Sequence, residues 1–193
     1  MSVFSFAAET DDAIEKIQKA YSGIADIKGG FVQKSFIKDF KRTDSYKGFF
    51  YLKAKKMKWD YRGKNPQTVF INGDDIIIYL KNEKQALKGR FDKTTYGQAP
   101  IALLAGLGDI RKEFEVSQTG ERRFLLKPKK QMGAILSIEL LTGDGEFPIE
   151  GLVITDTRSN KTDIKLDDVT INSGIKDRVF DFSPTEDVNI ITR

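Results

Sequence analysis

Tyr46-Lys47-Gly48-Phe49-Phe50-Tyr51-Leu52-Lys53 and, after three intervening residues, Met57-Lys58-Trp59-Asp60-Tyr61 decide the fold of this chain. A strand sends successive side chains to opposite faces. Phe50 and Leu52 therefore share one face of the first run, and Phe49 and Tyr51 share the other. In the second run Met57, Trp59 and Tyr61 lie on one face, while Lys58 and Asp60 point away. Working outward, Phe31 to Asp39, Thr68 to Asn72 and Asp75 to Leu80 have the same length and β-branched or aromatic composition. Gly63, Pro66 and the pair Asn72-Gly73 punctuate these runs, the last being a strong tight-turn signal. Connections this short allow antiparallel neighbours only, because a parallel crossover needs a longer link.

Beyond this block the period changes. Asp12 with Glu15 reads as a capping box, and Ile14, Ile17, Tyr21 and Ile24 then form one apolar helical stripe that ends near Gly23. Residues 1–9 read as a frayed terminus or as the remnant of an export signal, since Ser5-Phe6-Ala7 carries small residues where a signal peptidase cuts. The rest, 10–193, reads as one domain. Ala99-Pro100-Ile101-Ala102-Leu103-Leu104-Ala105-Gly106 predicts a short apolar helix, with Pro near its start and Gly at its end. Strands resume at Phe114–Val116, Arg123–Lys127, Ile135–Leu141, Gly151–Thr155 and Lys161–Asp167, with a further candidate at Val188–Ile191. The expected class is mainly β with a few helices: one antiparallel sheet.

Composition narrows the chemistry. The 193 residues carry 32 Lys+Arg against 28 Asp+Glu, and neither Cys nor His is present. That removes disulfides, thiol nucleophiles, His-based triads and Cys/His zinc sites. The acid pairs Asp11-Asp12, Asp74-Asp75 and Asp167-Asp168 fall at a helix start and at turns or strand ends, where acids are expected on structural grounds alone. No phosphate loop or metal-spaced acid cluster accompanies them. The reading is therefore of a protein that is not an enzyme and needs no cofactor or metal. Lys53-Ala54-Lys55-Lys56-Met57-Lys58-Trp59 interleaves basic and aromatic residues as single-strand platforms do, but no other basic cluster continues the track, so a solubilised hairpin is preferred to nucleic-acid binding.

The sheet has more apolar surface than the two expected helices can cover. Either it curls over them into an ordinary core, or a ligand completes the cover of the concave face.

The order of motifs resembles the periplasmic outer-membrane lipoprotein carrier (LolA) family from about Asp12 to Ile191. The likeness rests on Phe31-Val32-Gln33, Gly48 through Lys53, Trp59-Asp60-Tyr61, Asn72-Gly73, the apolar strand ending at Tyr79, the Ala99–Leu104 segment and Phe180-Asp181-Phe182-Ser183-Pro184. The resemblance implies an incomplete, open β-barrel covered by a helical lid. It further implies a monomeric periplasmic carrier that takes the acyl chains of lipoproteins from an inner-membrane releasing transporter to an outer-membrane receptor, without inserting stably in a membrane. The alternative is a lipid-sensing or protein-interaction module of the same fold. Phe31, Phe50, Leu52, Met57, Trp59, Tyr61, Ile78, Ile101, Leu103 and Leu104 are the residues this places at the lipid cavity. Where the family commonly has an Arg-Pro lid latch, this chain reads Ala54-Lys55-Lys56, which leaves Lys55 as the candidate. A lysine supplies a point charge in place of a rigid fork.

Overall fold

In a computed structural model the chain is described over residues 3–91 and 110–192. Two α-helices, α1 (Val3–Ser22) and α2 (Ile110–Glu113), accompany the strands described there. The first half contributes β1 (Asp26–Ile37), β2 (Arg42–Lys53), β3 (Lys56–Arg62), β4 (Gln67–Asn72), β5 (Asp75–Leu80) and β6 (Gln85–Arg90). The second contributes β7 (Phe114–Gly120), β8 (Arg123–Pro128), β9 (Ile135–Thr142), β10 (Ile149–Asp156), β11 (Lys161–Ile171) and β12 (Asn189–Thr192). They form one curved, open sheet in the order β12-β6-β5-β4-β3-β2-β1-β11-β10-β9-β8-β7, not closed into a barrel.

Most expected strands are present, with three corrections. First, α1 begins at Val3, so Asp12 and Glu15 lie inside the helix and do not cap it. No Gly or Pro occurs between Val3 and Ser22, and Ala7-Ala8 favours helix, so nothing stops the helix extending back through residues expected to form a loose terminus. Second, β1 starts at Asp26, five residues before the expected Phe31, runs through Gly29 and Gly30, and ends at Ile37, short of Asp39. Third, the sheet is not wholly antiparallel: β12 runs parallel to β6, with Asn189 opposite Gln85. Strands β7–β11 lie between β6 and β12 in the chain, so the two are separated by far more than the roughly one dozen residues that a parallel pairing requires. The expected helix Pro100–Ala105 lies outside the described residues.

Register explains how the two halves share one interior. Phe50 faces Trp59, Trp59 faces Val69, and Val69 faces Ile78, so the same sheet face stays apolar from β2 to β5. On the other side of β1, four residues further along that strand at Gln33, a second row on the same face runs through Ile164, Leu152, Leu140 and Phe124. All of these apolar residues except Ile78, which is partly buried, are buried in one core with Ile14 and Ile17 of α1 and Ile110 of α2. Burying a large apolar side chain contributes about 1.5–3 kcal/mol, so this continuous face is the main source of stability. Gly48 sits in the middle of it. A Cβ there would meet the Asp60 carbonyl oxygen and the Phe31 ring, so the close approach of β2 to β1 and β3 excludes any side chain. At Gly30 a Cβ would meet the Asp167 carboxylate, beside the β1–β11 register shift. Glycine here marks a bulge and not the end of a strand.

The convex face is covered in part by the segment that follows β11. Its 3₁₀ turn (Asp177–Phe180) buries Phe180, and the Phe182 ring lies 5.6 Å from Phe70 and 5.5 Å from Tyr79. This explains why Ile77 and Phe70, on the face opposite Ile76 and Val69, are also apolar. Two anchors hold the segment. Lys53 Nζ and Lys56 Nζ both reach Asp177, at 2.7 and 2.9 Å, and Lys53 also donates to the Ile175 carbonyl. The buried Asp26 carboxylate accepts from Ser173 N and Oγ, Gly174 N and Ile175 N at 2.8–3.2 Å.

Candidate functional site: the concave apolar face

The most densely aromatic part of the interior lies where β1, β2 and β3 meet. Phe31 stacks on Trp59 with ring centroids 3.9 Å apart, Phe50 tilts against the same indole at 5.4 Å, and Tyr61 meets Phe31 edge-on at 5.2 Å. Stacked and edge-on contacts of this kind add about 0.5–1.5 kcal/mol each beyond area burial. The Tyr61 hydroxyl donates to Gln33 Oε1 at 3.1 Å, and Gln33 Nε2 donates to Ser35 Oγ. The Tyr61 hydroxyl is thus tied to β1. Burial pushes the Tyr61 phenol well above its ordinary range, so it stays neutral across the whole working pH range.

Of the ten residues expected at a lipid cavity, Phe31, Phe50, Leu52, Met57, Trp59 and Tyr61 are brought together on this face and are buried. Ile78 shares the face at β5 and is partly buried. Ile101, Leu103 and Leu104 lie outside the described residues. Lys55 occupies the exposed β2–β3 turn, and its side chain has no partner among the described residues. Its neighbours Lys53 and Lys56 make the ion pairs with Asp177, and what they hold is the chain after β11. Val69, Ile71 and Ile76, which were not among the residues expected at the cavity, extend the same apolar face. Their alternation within the runs Thr68–Asn72 and Asp75–Leu80 was the available signal.

Between the C-terminal end of α1 and the β1–β2 pair lies a cavity of about 280 Å³, lined by Gln18, Tyr21, Ile24, Ile27 and Leu52 among others. The Tyr21 ring packs against Phe147 at 5.6 Å, and its hydroxyl is buried without a hydrogen-bond partner among the described residues. Asp26 stands at the rim of this cavity. Burial alone would raise its pKa, but the Ser173 hydroxyl and the N–H groups of Ile175, Ser173 and Gly174 outweigh that and hold it below the ordinary carboxylate range. It remains an anion that fixes the α1–β1 junction to the chain after β11. Asn172 reinforces the junction, accepting from Ala25 N at 2.7 Å and donating to the Gly23 carbonyl at 3.1 Å. An apolar concave surface beneath α1, with its helix junction locked, is suited to holding an apolar ligand, and its described residues offer no constellation for bond-making.

An open, curved sheet with its apolar face turned towards the helices is a fold that solved structures share. A LolA superfamily protein from Nitrosomonas europaea superposes with a TM-score of 0.52 over 90% of this chain and 97% of its own, at 9% identity. An uncharacterized conserved protein from Thermus thermophilus reaches 0.61 over 96% of this chain and 99% of its own, at 10% identity. These likenesses concern the fold. Residues 22–183 match the family described as Outer membrane lipoprotein carrier protein LolA, and the chain belongs to that family. The outer-membrane lipoprotein carrier protein of Francisella philomiragia is 31% identical over 193 residues, covering 97% of this chain and 90% of the relative. That of Alkalilimnicola ehrlichii is 23% identical, covering 99% and 89%.

Proposed function

We propose that this protein is a periplasmic carrier that shields the acyl chains of lipoproteins on its concave face while they cross from the inner to the outer membrane. The observation that carries the reading is the apolar face that runs from β5 through β1, where Ile27 and Phe31 belong to it, to β8, in a chain of the LolA family. The partners in this scheme are acylated lipoproteins, an inner-membrane transporter that releases them and an outer-membrane receptor that takes them over. The carrier works as a monomer, binds without catalysis and does not insert stably in either membrane. Phe31, Phe50, Leu52, Met57, Trp59, Tyr61 and Ile78 form the floor of the site, and Ile101, Leu103 and Leu104 belong to its cover.

The energetics suit transport. Each methylene removed from water contributes about 0.8 kcal/mol, so a dry acyl chain is held firmly against release into solvent. A receptor that offers the same apolar contact cancels that term, and direction then follows from a small difference in affinity between donor, carrier and receptor. Side chains already packed on one another, such as Phe31 on Trp59, must separate for a chain to enter, which keeps the carrier's affinity below that of a preformed cavity. Titration with an environment-sensitive fatty-acid analogue tests the proposal. Saturable binding displaced by an acylated peptide, but not by its unacylated twin, is expected. Absence of saturation, or equal competition by the two peptides, overturns it.

A further inference from the structure

Because the strands of the two antiparallel blocks alternate in direction, their turns fall at two opposite ends of the sheet, and the two ends differ in charge. At one end, the β1–β2, β3–β4, β5–β6, β8–β9 and β10–β11 turns carry eight Lys or Arg residues against Asp39 and Glu83; Glu186 and Asp187, before β12, lie at this end too, where Asp187 pairs with Lys84, and Lys81 pairs with Asp60. At the other, the β2–β3, β4–β5, β7–β8 and β9–β10 turns carry Lys55 and Arg122 against four acids. At the basic end, the side chains of Lys38, Lys41, Lys64, Lys130 and Arg158 are exposed and have no partner among the described residues.

Phe40 stands at the apex of the β1–β2 turn, between Lys38 and Lys41, and is 76% exposed, more than any other large apolar residue in the described chain. The turn that presents it is braced. Lys41 N donates to the Lys38 carbonyl at 3.1 Å with Lys41 in the left-handed region, and Lys38 N donates to Asn160 Oδ1 at 2.9 Å across to the β10–β11 turn. Asn160 is fixed in its turn by two hydrogen bonds to the Asp156 carboxylate. Beside the apex, Arg42, Lys47, Arg62 and Lys64 line a cleft of about 670 Å³ with Val32 and Tyr46 among its walls; Asp44 in the same cleft is engaged by Arg42 at 2.8 Å.

We infer that this basic rim docks the protein reversibly on the surface of a bilayer containing anionic phospholipids, with Phe40 entering the headgroup region and the surrounding Lys and Arg side chains facing lipid phosphates. The partner is a lipid surface and not an acidic protein for two reasons. The cations are spread along a row of turns, which fits an extended plane of charge. The apolar contribution is the projecting Phe40 ring with the partly exposed Phe36 and Val32 of β1 behind it, where a protein interface of ordinary size would need a broad, complementary apolar patch. The opposite charge of the two ends orients the molecule rim-first towards such a surface. This inference does not depend on lipoprotein carriage, since it concerns the outside of the sheet and not its concave face.

Vesicle flotation tests it, using phosphatidylcholine alone and phosphatidylcholine mixed with phosphatidylglycerol. The protein should float with the mixed vesicles only, and added salt should release it. Lys38→Ser and Lys41→Ser should each weaken binding about fivefold, and Phe40→Ser about tenfold, with melting temperatures unchanged. Lys55→Ser, at the other end of the sheet, should bind as the parent does. In a Phe40→Trp variant the new indole should shift to the blue on mixed vesicles, while the buried Trp59 contributes a constant background. No flotation at low salt, equal binding to both vesicles, or rim variants that bind like the parent would overturn the inference. A photo-cross-linker at position 40 that labels an acidic protein, with no vesicle binding, would overturn it in favour of a protein partner.

Discussion

Replacing Asp26 with Ala removes the acceptor on which the α1–β1 junction and the chain after β11 converge. Asp26 is 4% exposed, and its carboxylate accepts four hydrogen bonds from residues 173–175. Hydrogen bonds to a charged group contribute about 1.5–3 kcal/mol each, but the losses do not simply add. Ser173 and Gly174 are exposed and recover water as a partner, whereas the buried Ile175 N–H does not. One full loss and the partial loss of three others give about 3–4 kcal/mol. For a chain of this size that lowers the melting temperature by about 6–15 °C. Asp26→Asn keeps one acceptor oxygen and should cost roughly half as much. The acid limb gives a second reading. The folded carboxylate has a depressed pKa, so its contribution is fully present above the unfolded value of about 3.9 and is lost as pH falls through the lower folded value. The parent's stability should therefore decline below about pH 4 with a component that Asp26→Asn lacks. Urea unfolding at neutral and acid pH measures both. A loss under about 1 kcal/mol for Asp26→Ala, or the same acid slope in Asp26→Asn as in the parent, refutes the reasoning.

Other substitutions probe separate parts of the account. Gly48→Ala drives a methyl group into the Asp60 carbonyl and the Phe31 ring, and should cost about 1–3 kcal/mol by denaturant unfolding, whereas Gly73→Ala, in open space at a turn but with φ of +61°, should cost less. Asp177→Asn removes the shared partner of Lys53 and Lys56 and should speed hydrogen exchange and proteolysis after Ile171 without altering exchange in β2. Hydrogen bonds from those two lysines hold the Asp177 carboxyl down at about 2, so acidification should loosen the segment only as pH approaches that value, and an unchanged exchange pattern in Asp177→Asn would contradict the clasp.

The central strands were legible because their residues agree with their environment. Asp75–Leu80 coincides with the observed β5, and Met57, Trp59 and Tyr61 fall on the buried face that alternation assigns them. What sequence reading missed depends on tertiary contact. Gln85-Ala86-Leu87-Lys88-Gly89-Arg90 has poor strand composition, yet it forms β6 because β5 and β12 flank it on both sides. The start of β1 at Asp26 was not expected, and Gly29 and Gly30 within it are explained only by the approach of Asp167, which leaves no room for a side chain. Asp75–Leu80 reads as a strand, but why Ile76, Ile77 and Ile78 make both of its faces apolar does not show in the sequence. Nothing local indicates that Phe182 returns across the sheet to Phe70 and Tyr79. The site was legible to the same degree: its aromatic floor follows from alternation, whereas the Asp26 junction joins residues about 147 positions apart, and no pattern along the chain announces it.

The central claim, acyl-chain binding on the concave face, is tested most directly through the single tryptophan. Trp59 is 1% exposed and stacked on Phe31, so its emission in the free protein should already be blue. Titration with an acylated peptide should alter that emission saturably as the Phe31–Trp59 stack repacks, with the midpoint found by the fatty-acid probe, while the unacylated twin leaves it unchanged. A flat Trp59 titration, under conditions where the probe reports saturable binding, would place the acyl chains away from the β1–β3 face and contradict the account.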